Sequence, residues 1–457
     1  MEAMMFAGNA DLAASTTCRD RTAENRHFFA AICDLNGVLR GKRIPGGKLQ
    51  AVRDGGIRMP LSSIGVDIWG VDVAGTKLTL ESGDLDGICL PTGRAPVSLG
   101  WAGRDIPLLP LSMQKEDGTP YFADARHLLA SVLARFAEKG LRPVVATELE
   151  FYLLEAEGEP APAASKPGTI SGDFDNIYSL DELDAAAAFL DDVYRAAEAC
   201  GIEVEAAIAE GSPRQFEFNL LHQPDALKIA DDTIFFKQII KNIARRHGHV
   251  ASFMAKPSRD WAGSGMHVHF SIIDDKGVNI FNDGTDRGTD AMRHAVGGLL
   301  ATMSEMTLAF APHLNSYRRL CPGGLAPTTV AWGYENRTSA VRIPAGAHAA
   351  RRIEHRVAGA DANPYIVLAA ILGAALHGMD SAIEPPTPLS NNSHDADCEA
   401  LARDWRQALD LFLASDRTKA LLHPEFVIAY SACKQQEQNE FGARITEFEL
   451  ETYRLSV

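Results

Sequence analysis

The chain has 457 residues, a net charge of -16, and ordinary shares of hydrophobic (46%) and charged (23%) residues. That length exceeds one compact core and implies two or three domains. The acidity argues against a nucleic-acid partner, because phosphate backbones attract basic surfaces. Seven scattered cysteines with no CxxC pair argue against a disulfide framework or a zinc knuckle and read as a reduced, cytoplasmic protein. The N-terminus shows no basic-then-apolar signal pattern. The longest apolar run, Pro364 to Leu376, falls short of the roughly 20 residues of a membrane span. It is expected to be a buried helix, and no membrane partner is expected.

In chain order, residues before about Glu24 lack periodicity and read as a loose arm. From Phe28 to about Leu111, short apolar runs broken by Gly, Pro and Asp predict a small strand-rich domain. Lys115 to Pro120 is polar and turn-rich, a plausible boundary. Asp124 is expected to cap a helix running to Glu138, with Leu128, Leu129, Val132, Leu133 and Phe136 on one face. Pro143 to Leu154 reads as a strand, and Glu157 to Gly172 as an exposed loop. Further helices are expected at Glu182–Cys200, Pro224–His247, Asp290–Phe310, Asn363–Met379, Glu399–Ala414 and about Gln435–Tyr453.

Four short segments carry the chemistry. Residues two apart in a strand share a face. In Thr147–Phe151 this aligns Glu148 with Glu150, and in Gln215–Asn219 it aligns Gln215, Glu217 and Asn219. In Met266–Ser271 it aligns His267, His269 and Ser271, and in Arg352–Arg356 it aligns Arg352, Glu354 and Arg356. A solvated strand face would account for any one of them, but such faces usually carry Lys, Thr and Ser. If the strands join one sheet, Glu148, Glu150 and Glu217 converge, and crowded carboxylates repel unless a cation sits among them. Several Glu with one His suit Mg²⁺ or Mn²⁺ rather than zinc. Arginines there would take phosphate or carboxylate through forked hydrogen bonds. Metals and arginines around an anionic cleft are the equipment of phosphoryl transfer.

The motifs in order make the reading specific. Asp34-Leu35-Asn36-Gly37 and Arg40-Gly41-Lys42 precede Glu148-Leu149-Glu150, Glu210, Gln215-Phe216-Glu217 and Gly263-Ser264-Gly265-Met266-His267-Val268-His269. Asn315-Ser316-Tyr317-Arg318-Arg319, Asn336-Arg337, Arg342-Ile343-Pro344, Arg351-Arg352-Ile353-Glu354 and Ala362-Asn363-Pro364-Tyr365 follow. From about Ala31 to the C-terminus the chain resembles the glutamine synthetase family. The resemblance implies an α+β fold: a small β-grasp-like N-terminal domain (residues 20–118) and a large catalytic domain (119–457) with a curved antiparallel sheet. It also implies a homo-oligomeric ring, hexamer or dodecamer, in which the small domain closes the neighbour's site.

By the same resemblance Glu150, Glu210 and Glu217 would hold one Mg²⁺ or Mn²⁺ near glutamate. Glu148, His267 and Glu354 would hold a second beneath the phosphates of ATP. Gly263, Arg319 and Arg356 would position glutamate. Arg337 and Arg342 would contact the transferring phosphate, with Arg352, His269 and Ser271 towards the nucleotide. His222, His247, His249 and His355 read as solvated or core histidines. The implied substrates are glutamate, ATP and an amine. Phosphorylation of the γ-carboxylate makes γ-glutamyl phosphate, which a neutral amine attacks while water is kept out.

Two departures bear on the amine. The family pattern has a glutamate that binds and deprotonates ammonium where this chain has Leu325, within Pro322-Gly323-Gly324-Leu325-Ala326-Pro327. It also has an acid before Ser62-Ser63-Ile64, where this chain has Leu61. Asp84 matches a further acid of that region, and Asp67 is a candidate substitute. Loss of two acids points to an amine other than ammonia. A polyamine would call on Glu81 or Asp84, and an apolar or aromatic amine on Leu325 with Trp69, Trp101 or Trp261. Ala262 stands in place of an Asn beside Gly263, which removes a glutamate contact of the family pattern. Ammonia-dependent glutamine synthesis and a non-catalytic binding or regulatory role are the alternatives.

Overall fold

The computed structural model describes residues 27–74, 76, 83–100, 106–156, 177–322 and 324–457. The expected N-terminal arm, the Glu157–Gly172 loop, Glu81 and Trp101 lie outside them. Among the described residues, no helix is long and apolar enough to cross a membrane.

Two sheets organise the chain. The first joins β1 (His27–Cys33), β2 (Leu39–Pro45), β3 (Ile57–Pro60), β4 (Asp86–Pro91), β5 (Val97–Ser98) and β6 (Pro107–Gln114). Its order is β2-β1-β6-β4-β3, with β5 beside β6, and β1 and β6 run parallel. The second joins β7 (Arg142–Glu155), β8 (Val204–Ala209), β9 (Gln215–Leu220), β10 (His249–Ser252), β11 (Met266–Ile273), β12 (Trp332–Tyr334), β13 (Val341–Ile343) and β14 (Ile353–His355). Its order is β12-β13-β14-β11-β7-β9-β8, with β10 beside β7. All its pairings are antiparallel except β12–β13.

Alternation decides which way each strand of the second sheet faces. Leu149, Phe151, Phe216, Phe218, Val268 and Phe270 are buried on one side. Phe151 stacks on Phe218 at 6.1 Å, and Phe218 meets Phe236 of the helix Ala226–Arg246 edge-on. Burial of each such ring contributes about 1.5–3 kcal/mol. The polar residues between them are thereby forced onto the opposite side. Behind this layer the helix Pro364–Asp380 is apolar on all sides and almost wholly buried, as its composition demands.

Several expected helices change their limits. The 182–200 stretch is two helices, Leu180–Ala185 and Ala187–Ala199, jointed at Ala186 (φ -99°, ψ 4°). Asp290–Phe310 breaks after Met303, where Ser304 is drawn aside by hydrogen bonds to Glu399 and Ala400. Residues 399–401 are not helical, because their backbone pairs with Thr328, Thr329 and Val330; the helix starts at Trp405. The last stretch is Pro424–Ala443, opened by Pro424 in its first turn, then Glu447–Tyr453 behind a Thr446–Glu449 capping box.

The Asp34-Leu35-Asn36-Gly37 segment is a structural turn. Asp34 Oδ1 accepts the Asn36 and Val38 amides, and Gly37 takes φ +77°. Asn363 ties this turn to the core. Its Oδ1 caps the helix Pro364–Asp380 by accepting the Tyr365 amide, while its Nδ2 donates to the carbonyls of Asp34 and Leu35. Asn363→Ala removes a cap and strands two buried carbonyls, so a loss of about 2–4 kcal/mol is expected. A lowered urea midpoint checks this, and an unchanged midpoint would show that the tie contributes nothing.

Candidate functional site

Pairing register brings the four polar faces into one surface. Glu354 of β14 lies opposite His269 of β11 and Arg342 of β13. His267 lies opposite Glu148 of β7, which lies opposite Asn219 of β9. Glu150 lies opposite Glu217. A cavity of about 570 Å³ opens over this face, and all the predicted site residues except Ser271 line it. Glu210 enters from the loop after β8, and Gly263 from the turn before β11. Arg319 ends the short helix Ser316–Arg319, and Arg337 lies between β12 and β13. Ser271 lines an adjoining cavity of about 640 Å³, with His222, which shares Glu148, Asn219, His269 and Arg352 with the first.

Carboxylates, imidazoles and guanidiniums are interleaved. His267 Nδ1 lies 3.1 Å from Glu148 Oε2, and His269 Nε2 lies 2.8 Å from Glu148 Oε1. Burial disfavours the Glu148 charge, but the hydrogen bonds from the two imidazoles outweigh it and hold the carboxyl well below its usual range. Glu354 is likewise lowered to about 2: burial acts against it, and the Arg356 guanidinium and both imidazoles prevail. Arg342 donates to its Oε2 at 2.8 Å, and Arg356 to its Oε1. Glu217 has no such help. Burial, then the charges of Glu148, Glu150 and Glu210, push it up to about 10. Glu210 rises to about 7, through burial and the charge of Glu150.

The donor set fits divalent cations. Carboxylate oxygens dominate, they crowd one another, and the cost of that crowding falls on Glu217. Among the described residues, two groups bring ligating atoms within 4.8 Å of one another: Glu148, Glu217 and His267, and Glu148, His269 and Glu354. Both centre on Glu148, and the second takes His269 where the sequence reading took His267. Glu150 lies outside both groups and accepts the Gly265 amide at 2.8 Å.

Other expectations are adjusted. Arg319 lines the cavity, yet its guanidinium donates to the carbonyls of Val357 and Arg356. Trp69 packs on Phe441 and Trp261 stacks on Tyr152; neither lines the cavity. Asp67 is buried holding its own loop and Gln436, and Asp84 does not line the cavity of its own chain. His247 bonds Asp192, and His355 is buried against Phe310, lowered to about 3 by burial and by the neighbouring His267 and Arg319 charges. Leu325 is on the cavity rim, 62% exposed, with Ile177, Tyr178, Ile208 and Ala326. Lys256 also lines the cavity. Strand alternation carries no signal for Lys256, Ile177 or Tyr178, because they sit in loops.

The model of the glutamine synthetase catalytic domain matches residues 122–453. A γ-glutamylputrescine synthetase of Escherichia coli is 37% identical over 94% of this chain and 92% of its own length. A glutamate–isopropylamine ligase of a Pseudomonas species is 32% identical over 92% of this chain and 93% of its own. The solved structure of GmaS in complex with ADP superposes with a TM-score of 0.83 at 27% identity, covering 95% of this chain and 98% of the other. The chain belongs to the glutamine synthetase family.

The raised Glu217 has a measurable sign. A carboxyl whose folded pKa lies above its unfolded value stabilises less as pH rises between the two. The metal-free protein should therefore lose stability from about pH 5 towards pH 10. Glu217→Gln should remove that slope and raise the metal-free melting temperature most at alkaline pH. Binding of Mg²⁺ by the native protein near pH 7.5 should release protons, visible by calorimetry in buffers of different ionisation enthalpy. A flat stability profile without proton release would contradict this arrangement.

Proposed function

We propose that this chain is an ATP-dependent carbon–nitrogen ligase that joins the γ-carboxylate of glutamate to an amine other than ammonia, by way of γ-glutamyl phosphate. The observation that carries the reading is one cavity with acids, imidazoles and guanidiniums on its floor and Leu325 on its rim. The relatives named above support the same class, since both are named for joining glutamate to an organic amine or making the γ-glutamyl product.

Glu150, Glu210 and Glu217 would hold one Mg²⁺ or Mn²⁺, and Glu148 and Glu354, with His267 or His269, the other. When bound, these ions neutralise phosphate charge and polarise the transferring group. Arg337 is exposed at the cavity wall and would meet the equatorial oxygens of the transferring phosphoryl group, with Arg342 behind it. Arg352, His269 and Ser271 would face the nucleotide. Gly263, Arg319 and Arg356 would border the glutamate. A Cβ at Gly263 would come within 2.5 Å of Arg319 Cγ, so only bare backbone fits between Arg319 and the substrate. The apolar rim would shield the acyl phosphate from water and receive the amine's organic group.

A ring of six or twelve copies would bring the small domain (residues 20–118) of one copy onto the catalytic domain (119–457) of the next. Such an arrangement suits Asp84, which does not line its own chain's cavity. A light-scattering mass of one chain would contradict it. We place the enzyme in the cytoplasm, on the strength of its scattered cysteines with no CxxC pair.

ADP release that needs glutamate, a divalent metal and an organic amine tests the reading. Glu150→Ala, Glu217→Ala and His267→Ala should each lower it by more than about 100-fold with the fold intact. Full activity in all three would end the metal-site assignment. Leu325→Glu should raise the rate with ammonium and lower it about 10-fold with bulky amines, by adding a cation site and filling the rim. Because only the neutral amine attacks, the native rate should climb into the alkaline range. Efficient glutamine synthesis by the unmodified protein would replace this reading with ammonia-dependent synthesis.

A further inference from the structure

Arg342 is buried, lines the cavity and depends on a shared partner. It donates to Glu354 Oε2 at 2.8 Å, while Arg356 donates to Oε1 of the same carboxyl. Glu354 also belongs to one of the two candidate cation groups. A divalent cation beside Glu354 would repel the guanidinium that Glu354 holds. The Arg342 Nε is buried without a hydrogen-bond partner, so it adds no second hold. An anion reaching Arg342 from elsewhere would keep it in place when the cation arrives.

Glu335, the residue after β12, supplies that anion. Its Oε1 lies 3.5 Å from Arg342 Nη2 and also accepts the amide of Ala345, beyond the end of β13. Its own N–H donates to the Ile343 carbonyl at 3.0 Å. Glu335 takes φ +54°, a left-handed backbone that costs a residue with a Cβ about 1–2 kcal/mol. Such a conformation persists where its surroundings over-determine it, and it gathers at functional sites. Asn336 fixes the next step of the chain, donating to the carbonyls of Leu389 and Asn391. Glu335 does not line the catalytic cavity. It borders a separate cavity of about 330 Å³ with Tyr334, Pro344 and Arg351. It therefore reaches Arg342 from outside the catalytic cavity and is absent from both candidate cation groups.

We propose that Glu335 is a positioning residue, which holds the Arg342 guanidinium towards the transferring phosphoryl group while a cation occupies Glu354. The inference rests on the ligase reading above and adds to it a residue outside the cavity that acts through Arg342.

The test compares ADP with a non-hydrolysable ATP analogue, each bound calorimetrically to the full chain with Mg²⁺, so that the difference isolates the γ-phosphate. Glu335→Gln keeps an acceptor for the Ala345 amide and removes the charge that faces Arg342. It should weaken the analogue on the order of 10-fold and leave ADP unchanged. Arg342→Met should show the same selective loss, and adding Glu335→Gln to it should produce no further loss. In turnover, Glu335→Gln should lower kcat and leave the KM for glutamate within about 2-fold. Tighter analogue binding in Glu335→Gln would mean that the carboxylate merely repels phosphate. Unchanged or equally weakened binding of both ligands would reduce it to a loop tie. Each of these results, or a further loss in the double variant, would overturn the proposal. The selective binding pattern with no γ-glutamyl amide formed from any amine would uphold Glu335 and defeat the ligase reading.

Discussion

Like charges on one sheet face are the constraint on which the rest of this structure depends. Glu148, Glu150, Glu217 and Glu354 are brought together by backbone pairing among β14, β11, β7 and β9. Side chains alone would not gather there, since carboxylates repel and burial raises the cost of their charge. The pairing is maintained from the other side of the sheet, where Phe151, Phe216, Phe218 and Phe270 are buried. The apolar layer thereby holds the acids in a crowded state that only cations relieve.

The relief is uneven, and this organises the site. Glu148 and Glu354 find hydrogen-bond partners within the chain, namely two imidazoles and two guanidiniums. Glu217 has only the Asn219 amide against three neighbouring carboxylates, and at Glu210 the Arg337 charge is too weak to offset burial, so both rise. One side of the cavity is thus nearly self-neutralised, and the other waits for an external cation. An arginine committed to Glu354 meets a substrate anion through its remaining N–H groups.

Much of this was legible in the sequence because strand periodicity is strict. Each polar set, including Glu148 with Glu150 and His267 with His269, falls on the face that alternation assigns. The pairing order was not legible from periodicity, since alternation says which face a residue takes but not which strand lies beside it. Family resemblance gathered the residues, but it did not show that His269 approaches Glu148 and Glu354 as closely as His267 does. Loop residues were silent for a different reason. The Lys256 backbone is held by hydrogen bonds with Asn315, 59 positions away, and no local pattern encodes that. Helix ends at Ser304 and Glu399 were misjudged because tertiary hydrogen bonds overrode a continuous apolar pattern. The Thr446–Glu449 capping box opens a separate last helix where one helix is expected from about Gln435 to Tyr453.

The floor of the cavity is made of strands and its rim of loops, and the two answer to different rules of change. Insertion of a single residue into β7, β9 or β11 would turn the acids and imidazoles beyond it into the phenylalanine layer. The strands therefore tolerate substitution sparingly and length change hardly at all. The loop carrying Leu325 takes no part in that register, so its length and composition can drift while the strand floor stays intact. Gene duplication within such an architecture can yield enzymes for new amines in few mutational steps, because the nucleophile's pocket is inherited separately from the machinery that activates the acid.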